Sequence, residues 1–450
     1  FGSSVAQIAL LVGSLLLSML LPRCALGVLL IVRSLSAEPP RGVQHDSERS
    51  RIVDEINSKP GLLWRAGINA RFRGLPLGSA KALCGVKPGG KQRLQQLVSE
   101  GAVEFVSRSQ ARAIPRRFES GENWPRCAAV IGDVRDQSAC GCCWAFGAAE
   151  AASDRLCIYT NGSIAVPLST QELCFCGEAD GCNGGTLELA WNYIQSKGLV
   201  TGTEYRNSGS FGSFGLCSSF SLPHCHHHGP RDIDPYPPIG SPGCRKVHHS
   251  PQCPSSCDSS SQAPYSDFPN ARYHFNGPLQ YLDWDADLIA SQIMLHGPVE
   301  AAFTVYEDFE HYLSGIYHAT SLKELGGHAV KMVGWGSEAG VKYWRVLNSW
   351  NQYWGEDGYF RIRRGTNECG IEEQVVVSAA ASTWEGPGIK PAPPVPPVPG
   401  NCWQQETMQA CQDTSQDGTR CEWCEHGSIC QEADSPCSPH SRKDMELQIV

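Results

Sequence analysis

The 450-residue sequence predicts an α+β fold of two lobes, one helical and one β-barrel-like, with a cleft between them. Three observations carry this prediction. Segments with helical periodicity come first in the body of the chain, segments with strand periodicity follow them, and a cysteine opens the longest of the helical segments.

The chain starts on an apolar run from Val5 to Leu21, continued by Ala25 to Val32 and ending in Ser34 to Ala37. Residues 1–37 therefore read as a secretory signal or a signal anchor, and a membrane is expected as a partner only if that segment stays uncleaved. The 22 cysteines agree with a secretory route, since oxidising compartments permit disulfides. Asn161, Gly162 and Ser163 form an N-glycosylation acceptor pattern, a short motif that often occurs by chance. Charge is uneven: residues 38–113 hold 13 Lys or Arg against 7 Asp or Glu, whereas residues 114–450 hold 22 against 39. A basic segment ahead of an acidic body is read as a docking pair. Nucleic acid is not expected as a partner, because no aromatic-interleaved basic patch accompanies the charge.

Cys142 to Tyr159 carries Ala145, Phe146, Ala149, Ala152, Leu156 and Ile158 at three- and four-residue spacings, which predicts a buried helix with Cys143 in its first turn. Unpaired N–H groups and the positive end of the helix dipole favour a thiolate there. A structural cysteine is the competing reading. Thr186 to Lys197 presents Leu187, Ala190, Trp191 and Ile194 on one face and stops at Gly198, and Asp285 to His296 is a further helix ending before Gly297 and Pro298. The period then changes to strands at Val299–Val305, His328–Trp335, Val341–Leu347 and Tyr359–Ile362.

The strand half supplies partners for the thiol. His328 leads into one apolar strand after Gly326 and Gly327, and Asn348 follows another, just before Ser349 and Trp350. A Cys and His pair oriented by an Asn amide is the cysteine form of the nucleophile–base–orienter triad. Gln137, six residues before Cys143, is placed to donate its amide to a tetrahedral oxyanion.

On these residues the chain resembles the papain family of cysteine peptidases, and within it cathepsin B. The resemblance spans roughly residues 50 to 380, through Gln137 to Phe146, Cys182 to Gly185, Gly326 to Ala329, Asn348 to Gly355 and Cys369 to Ile371. It implies a papain-like two-lobe fold with the active site in the cleft, and a monomeric hydrolase acting on protein and peptide substrates without metal or other cofactor. Cys143 is then the nucleophile, His328 the general acid/base, Asn348 its orienter and Gln137 the oxyanion donor. Trp350 shields the Asn and His pair, and Gly184 and Gly185 line the cleft where substrate backbone binds.

Cys143 and His328 lie 185 residues apart, beyond the usual papain-like spacing, and the excess is about the size of the Cys217–Cys257 segment. That segment resembles the occluding loop of cathepsin B, in which two adjacent histidines, here His227 and His228, hold the C-terminal carboxylate of a substrate and make the enzyme a peptidyl-dipeptidase. Charged imidazoles suit this task at acid pH. A zinc site is the competing reading of the loop's histidines and cysteines, disfavoured because a secreted chain pairs its thiols. The resemblance implies the bridges Cys127–Cys157, Cys140–Cys182, Cys217–Cys257 and Cys225–Cys244, with Cys253 taking Cys174 or Cys176.

The chain also departs from the family. Cys142 stands where Ser is usual, which raises an extra bridge or oxidation beside the nucleophile. Gln374 replaces the Glu that lets cathepsin B accept Arg in its second specificity pocket, so apolar side chains are expected there, and Thr186 replaces an aromatic residue.

Residues 38–113 resemble a cathepsin B propeptide through Trp64, Ala66, Gly67, Asn69, Leu83, Cys84 and Gly85. Such a segment lies backwards through the cleft and inhibits, with maturation expected near Ala113 or Ile114. Protonation of carboxylates on the acidic body is expected to release it at low pH. The catalytic domain is expected over residues 114–383, a Pro-rich linker over 384–400, and a Cys-rich module over 401–450 whose six cysteines include Cys421 and Cys424 in CxxC spacing. An acidic, lysosome-like compartment or secretion is the expected location. The alternative function is a catalytically silent binding protein of the same fold.

Overall fold

The computed structural model describes residues 41–203, 216–222, 247–258, 261, 266–282, 284–379 and 382–389, with three short strands between 415 and 432. The N-terminal segment forms α1 (Arg41–Asn57), β1 (Trp64–Ala66), α2 (Gly90–Ser99) and β2 (Val103–Val106). The helical half follows with β3 (Phe118–Glu119), α3 (Ser120–Asn123), α4 (Ala128–Ile131), α5 (Cys143–Tyr159), α6 (Thr170–Gly177) and α7 (Leu187–Ser196). The strand-rich half holds β4 (His274–Asn276), β5 (Leu279–Leu282), α8 (Ala286–His296), β6 (Val299–Tyr306), β7 (Tyr312–Tyr317) and β8 (Glu324–Glu338). It continues through β9 (Val341–Leu347), β10 (Tyr359–Arg363), β11 (Gln374–Ser378) and β12 (Thr383–Glu385), and the chain adds β13 (Ser415–Gln416), β14 (Thr419–Cys424) and β15 (Ile429–Glu432).

Helix α5 is buried from Cys143 to Cys157, which its run of small residues allows: Ala145, Gly147, Ala148, Ala149, Ala151 and Ala152 let both halves of the molecule approach its backbone. Its charged residues are compensated inside the protein. Asp154 pairs with Lys331 at 2.8 Å, and Arg155 donates to the carbonyls of Gly297, Pro298 and Ser378. Burial raises the Glu150 carboxyl to about 8, so it stays protonated near neutral pH. Helix α7 buries Leu187, Ala190, Trp191 and Ile194 as its periodicity predicts, and α8 is capped by Asp285, whose side chain accepts from the N–H groups of Asp287 and Leu288.

Ten strands form one mixed sheet in the order β1-β7-β10-β9-β8-β6-β11-β5-β2, with β3 beside β8. The N-terminal segment supplies both ends of that path: β1 pairs antiparallel with β7, and β2 pairs parallel with β5. The predicted strands are all present, and β8 runs longer than its apolar core suggests. Antiparallel pairing of β8 with β6 sets His328 opposite Phe303, and pairing of β9 with β10 delivers Asn348 one residue past Leu347.

Among the described residues four bridges are formed: Cys127–Cys157, Cys140–Cys182, Cys217–Cys257 and Cys176–Cys253. Cys176 is therefore the partner of Cys253, and Cys174 is free. Cys225 and Cys244 lie outside the described residues. Strand β12 pairs with β4, the Tyr273 hydroxyl donates to the Pro387 carbonyl at 2.9 Å, and Ile389 packs against the buried core, so residues 383–389 lie along the body.

Candidate active site

Cys143 is the first residue of α5, fully buried, with Cys142 at the N-cap. His328 enters from β8 and Asn348 from the end of β9, and His328 Nε2 lies 2.8 Å from Asn348 Oδ1, which can only accept. The ring is therefore protonated on Nε2. The indole of Trp350 covers the pair, its ring centroid 5.0 Å from that of His328. Gln137 is tied to the same corner: its N–H donates to the Ser349 carbonyl at 2.9 Å, and the Ser349 hydroxyl donates to Gln137 Oε1 at 2.7 Å. That second bond fixes the amide's orientation and turns Nε2 towards the cleft.

The N-terminal segment runs through this site. Gln137 Nε2 donates to the Leu83 carbonyl at 2.9 Å, and His328 Nδ1 faces the same oxygen at 3.3 Å. The Gly85 N–H donates to Cys143 Sγ at 3.2 Å. Val86 then sits between Gly185, which it meets in parallel, and Gly327 of β8, which it meets antiparallel, with Val86 N–H donating to the Gly327 carbonyl. Gly185 N–H donates to the Gly85 carbonyl, and Lys87 N–H donates to the Gly185 carbonyl, both at 2.9 Å. This is a main-chain ladder of the kind an extended peptide makes on a sheet edge. Glycine is required on the body side. Gly184 has φ +98°, and a Cβ there meets the Gly85 carbonyl oxygen at 2.6 Å, while a Cβ on Gly185 falls 2.5 Å from the Trp144 ring.

Two buried ion pairs hold the segment beside the cleft. Arg49 pairs with Glu310 at 2.8 Å and Arg71 with Asp136 at 2.9 Å, all four side chains being almost wholly inaccessible. Asn69 donates to the carbonyls of Glu310 and Tyr312, Trp64 Nε1 donates to the His318 carbonyl, and the Phe72 ring meets Trp350 edge-on. More exposed pairs, Lys87 with Glu178, Lys91 with Glu373 and Arg108 with Asp285, add to these two, so basic residues of the segment meet acidic residues of the body at five points.

With the segment in place, the site is electrostatically quiet. Burial pushes the Cys143 thiol up to about 11, more strongly than the backbone N–H groups around it pull it down. Burial pushes His328 down to about 4, although Asn348 Oδ1 and the Leu83 carbonyl both favour the charged ring. Thiol and imidazole are both neutral at physiological pH, and no ion pair forms between them.

Gln137, Cys143, His328, Asn348, Trp350, Gly184 and Gly185 therefore meet around one stretch of chain. Gln374 is close by, its Oε1 2.5 Å from where a Cβ on Gly90 would stand. His227 and His228 lie outside the described residues. The loop's described flank touches the site differently: the His248 N–H donates to the Ala139 carbonyl, and His249 Nδ1 lies 2.6 Å from Asp180. Sequence reading missed Gly327, whose signal was the Gly-Gly step before His328. It also missed the docking residues Arg49, Arg71 and Asp136, because single charges facing each other across 65 or 261 residues leave no local pattern.

Residues 114–379 match the description "Papain family cysteine protease". The chain is 39% identical over 348 residues to cathepsin B-like cysteine proteinase 6 of Caenorhabditis elegans, covering 75% of this chain and 86% of that one. It is 37% identical over 330 residues to a cathepsin B-like cysteine proteinase of Schistosoma japonicum, covering 72% and 89%. Among solved structures it is similar to proCathepsin B S9 of Trypanosoma congolense, with TM-score 0.57, 30% identity, and coverage of 73% of this chain and 97% of that one. A digestive procathepsin L 3 of Tenebrio molitor larval midgut shares the fold at TM-score 0.50 and 20% identity, over 75% and 91% of the two chains. The chain belongs to the papain family of cysteine proteases, among its cathepsin B-like members.

Proposed function

We propose that this chain is the latent form of an endopeptidase in which Cys143, His328, Asn348 and Gln137 perform the chemistry and residues 38–113 inhibit it. The observation that carries the reading is the Leu83 carbonyl, held by Gln137 Nε2 and facing His328, with the next peptide's N–H on Cys143 Sγ. A carbonyl oxygen occupies the oxyanion position, but Cys143 accepts a hydrogen bond there instead of attacking. The ladder runs parallel to Gly185, so the segment fills the cleft without offering a bond for cleavage. Arg112 and Ala113 are exposed just before the buried Phe118, which favours maturation in that stretch.

Once the segment leaves, water reaches the cleft and the burial terms relax. His328 then takes the proton of Cys143, and the helix start stabilises the thiolate. Sγ attacks the substrate carbonyl, and Gln137 Nε2 with the Cys143 N–H hold the oxyanion. His328 protonates the leaving amine, and water, deprotonated by His328, hydrolyses the thioester. Asn348 keeps the imidazole in the tautomer that can do this. Release of C-terminal dipeptides by His227 and His228 belongs to the same proposal, as does an acidic compartment on the secretory route; four disulfides support an oxidising route.

Acid release is best assigned to histidines rather than carboxylates. Burial raises Glu310 in the docked state, more than Arg49 lowers it, so protonating it favours docking as pH falls. His311 and His328 are both depressed to about 4. Groups lowered in the docked state hold the segment above their ordinary pKa and let go as pH drops towards 4.

The test incubates activated protein at pH 5 with a terminally blocked peptide and with a peptide bearing a free C-terminus. Cleavage of both, lost in Cys143→Ala, is expected. No cleavage of either, or undiminished cleavage by Cys143→Ala, overturns the proposal.

A further inference from the structure

Five cysteines are free among the described residues: Cys84, Cys142, Cys143, Cys174 and Cys369. Cys143 has its role, and Cys84 and Cys369 lie on other elements, but Cys142 and Cys174 meet. Cys142 is the N-cap of α5 and Cys174 sits in the middle of α6, and both are completely buried. Their sulfurs and that of Cys140 all lie within 4.8 Å of one another. Cys140 Sγ is 3.2 Å from Cys142 Sγ and 3.9 Å from Cys174 Sγ. The Cys142 and Cys174 sulfurs thus face each other within 4.8 Å, beside Cys140 Sγ.

We infer that Cys142 and Cys174 form a fifth disulfide, which joins the residue preceding the nucleophile to α6 beside the Cys140–Cys182 bridge. Neither cysteine is accounted for by the pairing expected of the family. Cys142 stands where Ser is usual, and Cys174 is left over because Cys176 takes Cys253. Two such departures in contact explain each other as one covalent pair. The enclosure leaves little else for them to do, since a Cβ added to Gly181 would lie 1.9 Å from the Cys174 carbonyl oxygen and 3.1 Å from its sulfur. A metal held by the three sulfurs is disfavoured, because Cys140 is already bonded to Cys182 and offers no thiolate.

The oxidant is a protein or low-molecular-weight disulfide met during folding. A thiolate of one cysteine attacks that disulfide, giving a mixed disulfide and one released thiol. The second cysteine then attacks the mixed disulfide and releases the other thiol. Two S–H bonds are lost and one S–S bond forms, while the oxidant takes up two electrons and two protons. Burial raises the Cys142 pKa well above that of an ordinary thiol, so the exchange belongs to the chain before α5 and α6 close over it.

The experiment is two-step alkylation of the full chain purified without reductant. Thiols are blocked with a light reagent in denaturant containing a chelator, so that any metal-held thiol also reacts; disulfides are then reduced and labelled with a heavy reagent, and tandem mass spectrometry assigns each site. Cys142 and Cys174 are expected to carry the heavy label and Cys84 the light one. In Cys142→Ser, which restores the residue usual in the family, Cys174 is expected to change to the light label. Light label on Cys142 and Cys174 in the native chain overturns the bridge, and heavy label on Cys174 in the variant overturns the pairing. Neither readout depends on peptidase activity.

Discussion

Replacing His311 by glutamine removes a titratable group from beneath the docked segment without removing its bulk. His311 is fully buried at the end of the turn Glu307–His311, and its carbonyl accepts from the Gly67 N–H of the segment at 2.8 Å. Neither ring nitrogen has a partner in good geometry, and burial, then the charge of Arg49, push the imidazole from 6.5 down to about 4. In the undocked state Arg49 is gone and water reaches the ring, so its pKa returns towards the ordinary value. A difference of that size weakens docking by about 2 kcal/mol at pH 5 and by almost nothing at pH 7.5, or about thirtyfold in the docking equilibrium. His328 is lowered to a similar value and adds a comparable contribution, so the variant at His311 is expected to keep part of the pH response.

The measurement is best made in a Cys143→Ala background, so that self-cleavage does not enter. Nicking of residues 41–113 by one added acid-active protease reports the undocked fraction, and His311→Gln is compared with its parent at each pH. Equal nicking at pH 7.5 and up to about thirtyfold slower nicking of the variant at pH 5 are expected. Matching melting temperatures at pH 7.5 establish that the glutamine is accommodated. A variant whose nicking rises between pH 7.5 and pH 5 as steeply as its parent's refutes the assignment to His311.

Gly85→Ala should abolish latency, because the new Cβ would lie 1.6 Å from the Gly141 carbonyl oxygen; the check is hydrolysis of a blocked peptide by full-length protein at pH 7.5. Gln137→Ala should lower kcat by about 100-fold with KM little changed, the loss expected for one oxyanion donor, as read from steady-state kinetics of the matured enzyme. Arg49→Ala leaves the Glu310 carboxylate buried without its cation and should destabilise the full chain by about 3 kcal/mol, visible as a lower denaturant midpoint. Gln374→Glu should admit Arg to the second specificity pocket, one residue before the residue whose carboxyl side is cleaved, a side chain the native enzyme should disfavour there; a panel of blocked dipeptide substrates varied at that position decides it.

The elements that position the chemistry were legible because their patterns are local. Helix α5 shows in the spacing of its small apolar residues, and β6, β8, β9 and β10 in runs of β-branched and aromatic residues between glycines. Helix α6 was missed although Ser169 and Glu172 stand in capping-box spacing, with the Ser169 side chain accepting from the Glu172 N–H. The eight residues that follow carry three cysteines or glycines and no clear apolar face. Strands β1, β2, β4 and β12 are three or four residues long, too short for a period-2 signal, and their pairing is decided by distant partners. The site was readable as residue types but not as a state. Nothing local in the sequence says that burial beneath residues 83–87 leaves Cys143 and His328 neutral.

Strands β1 and β2 close the two ends of the sheet, yet both lie in the stretch that maturation is proposed to discard. A body assembled against those strands afterwards lacks the chain that guided its assembly, and β5 and β7 are left with unpaired backbone edges. The matured enzyme's persistence then rests on how slowly it unfolds rather than on an equilibrium it can re-enter, so each molecule has a finite working life set by its unfolding barrier.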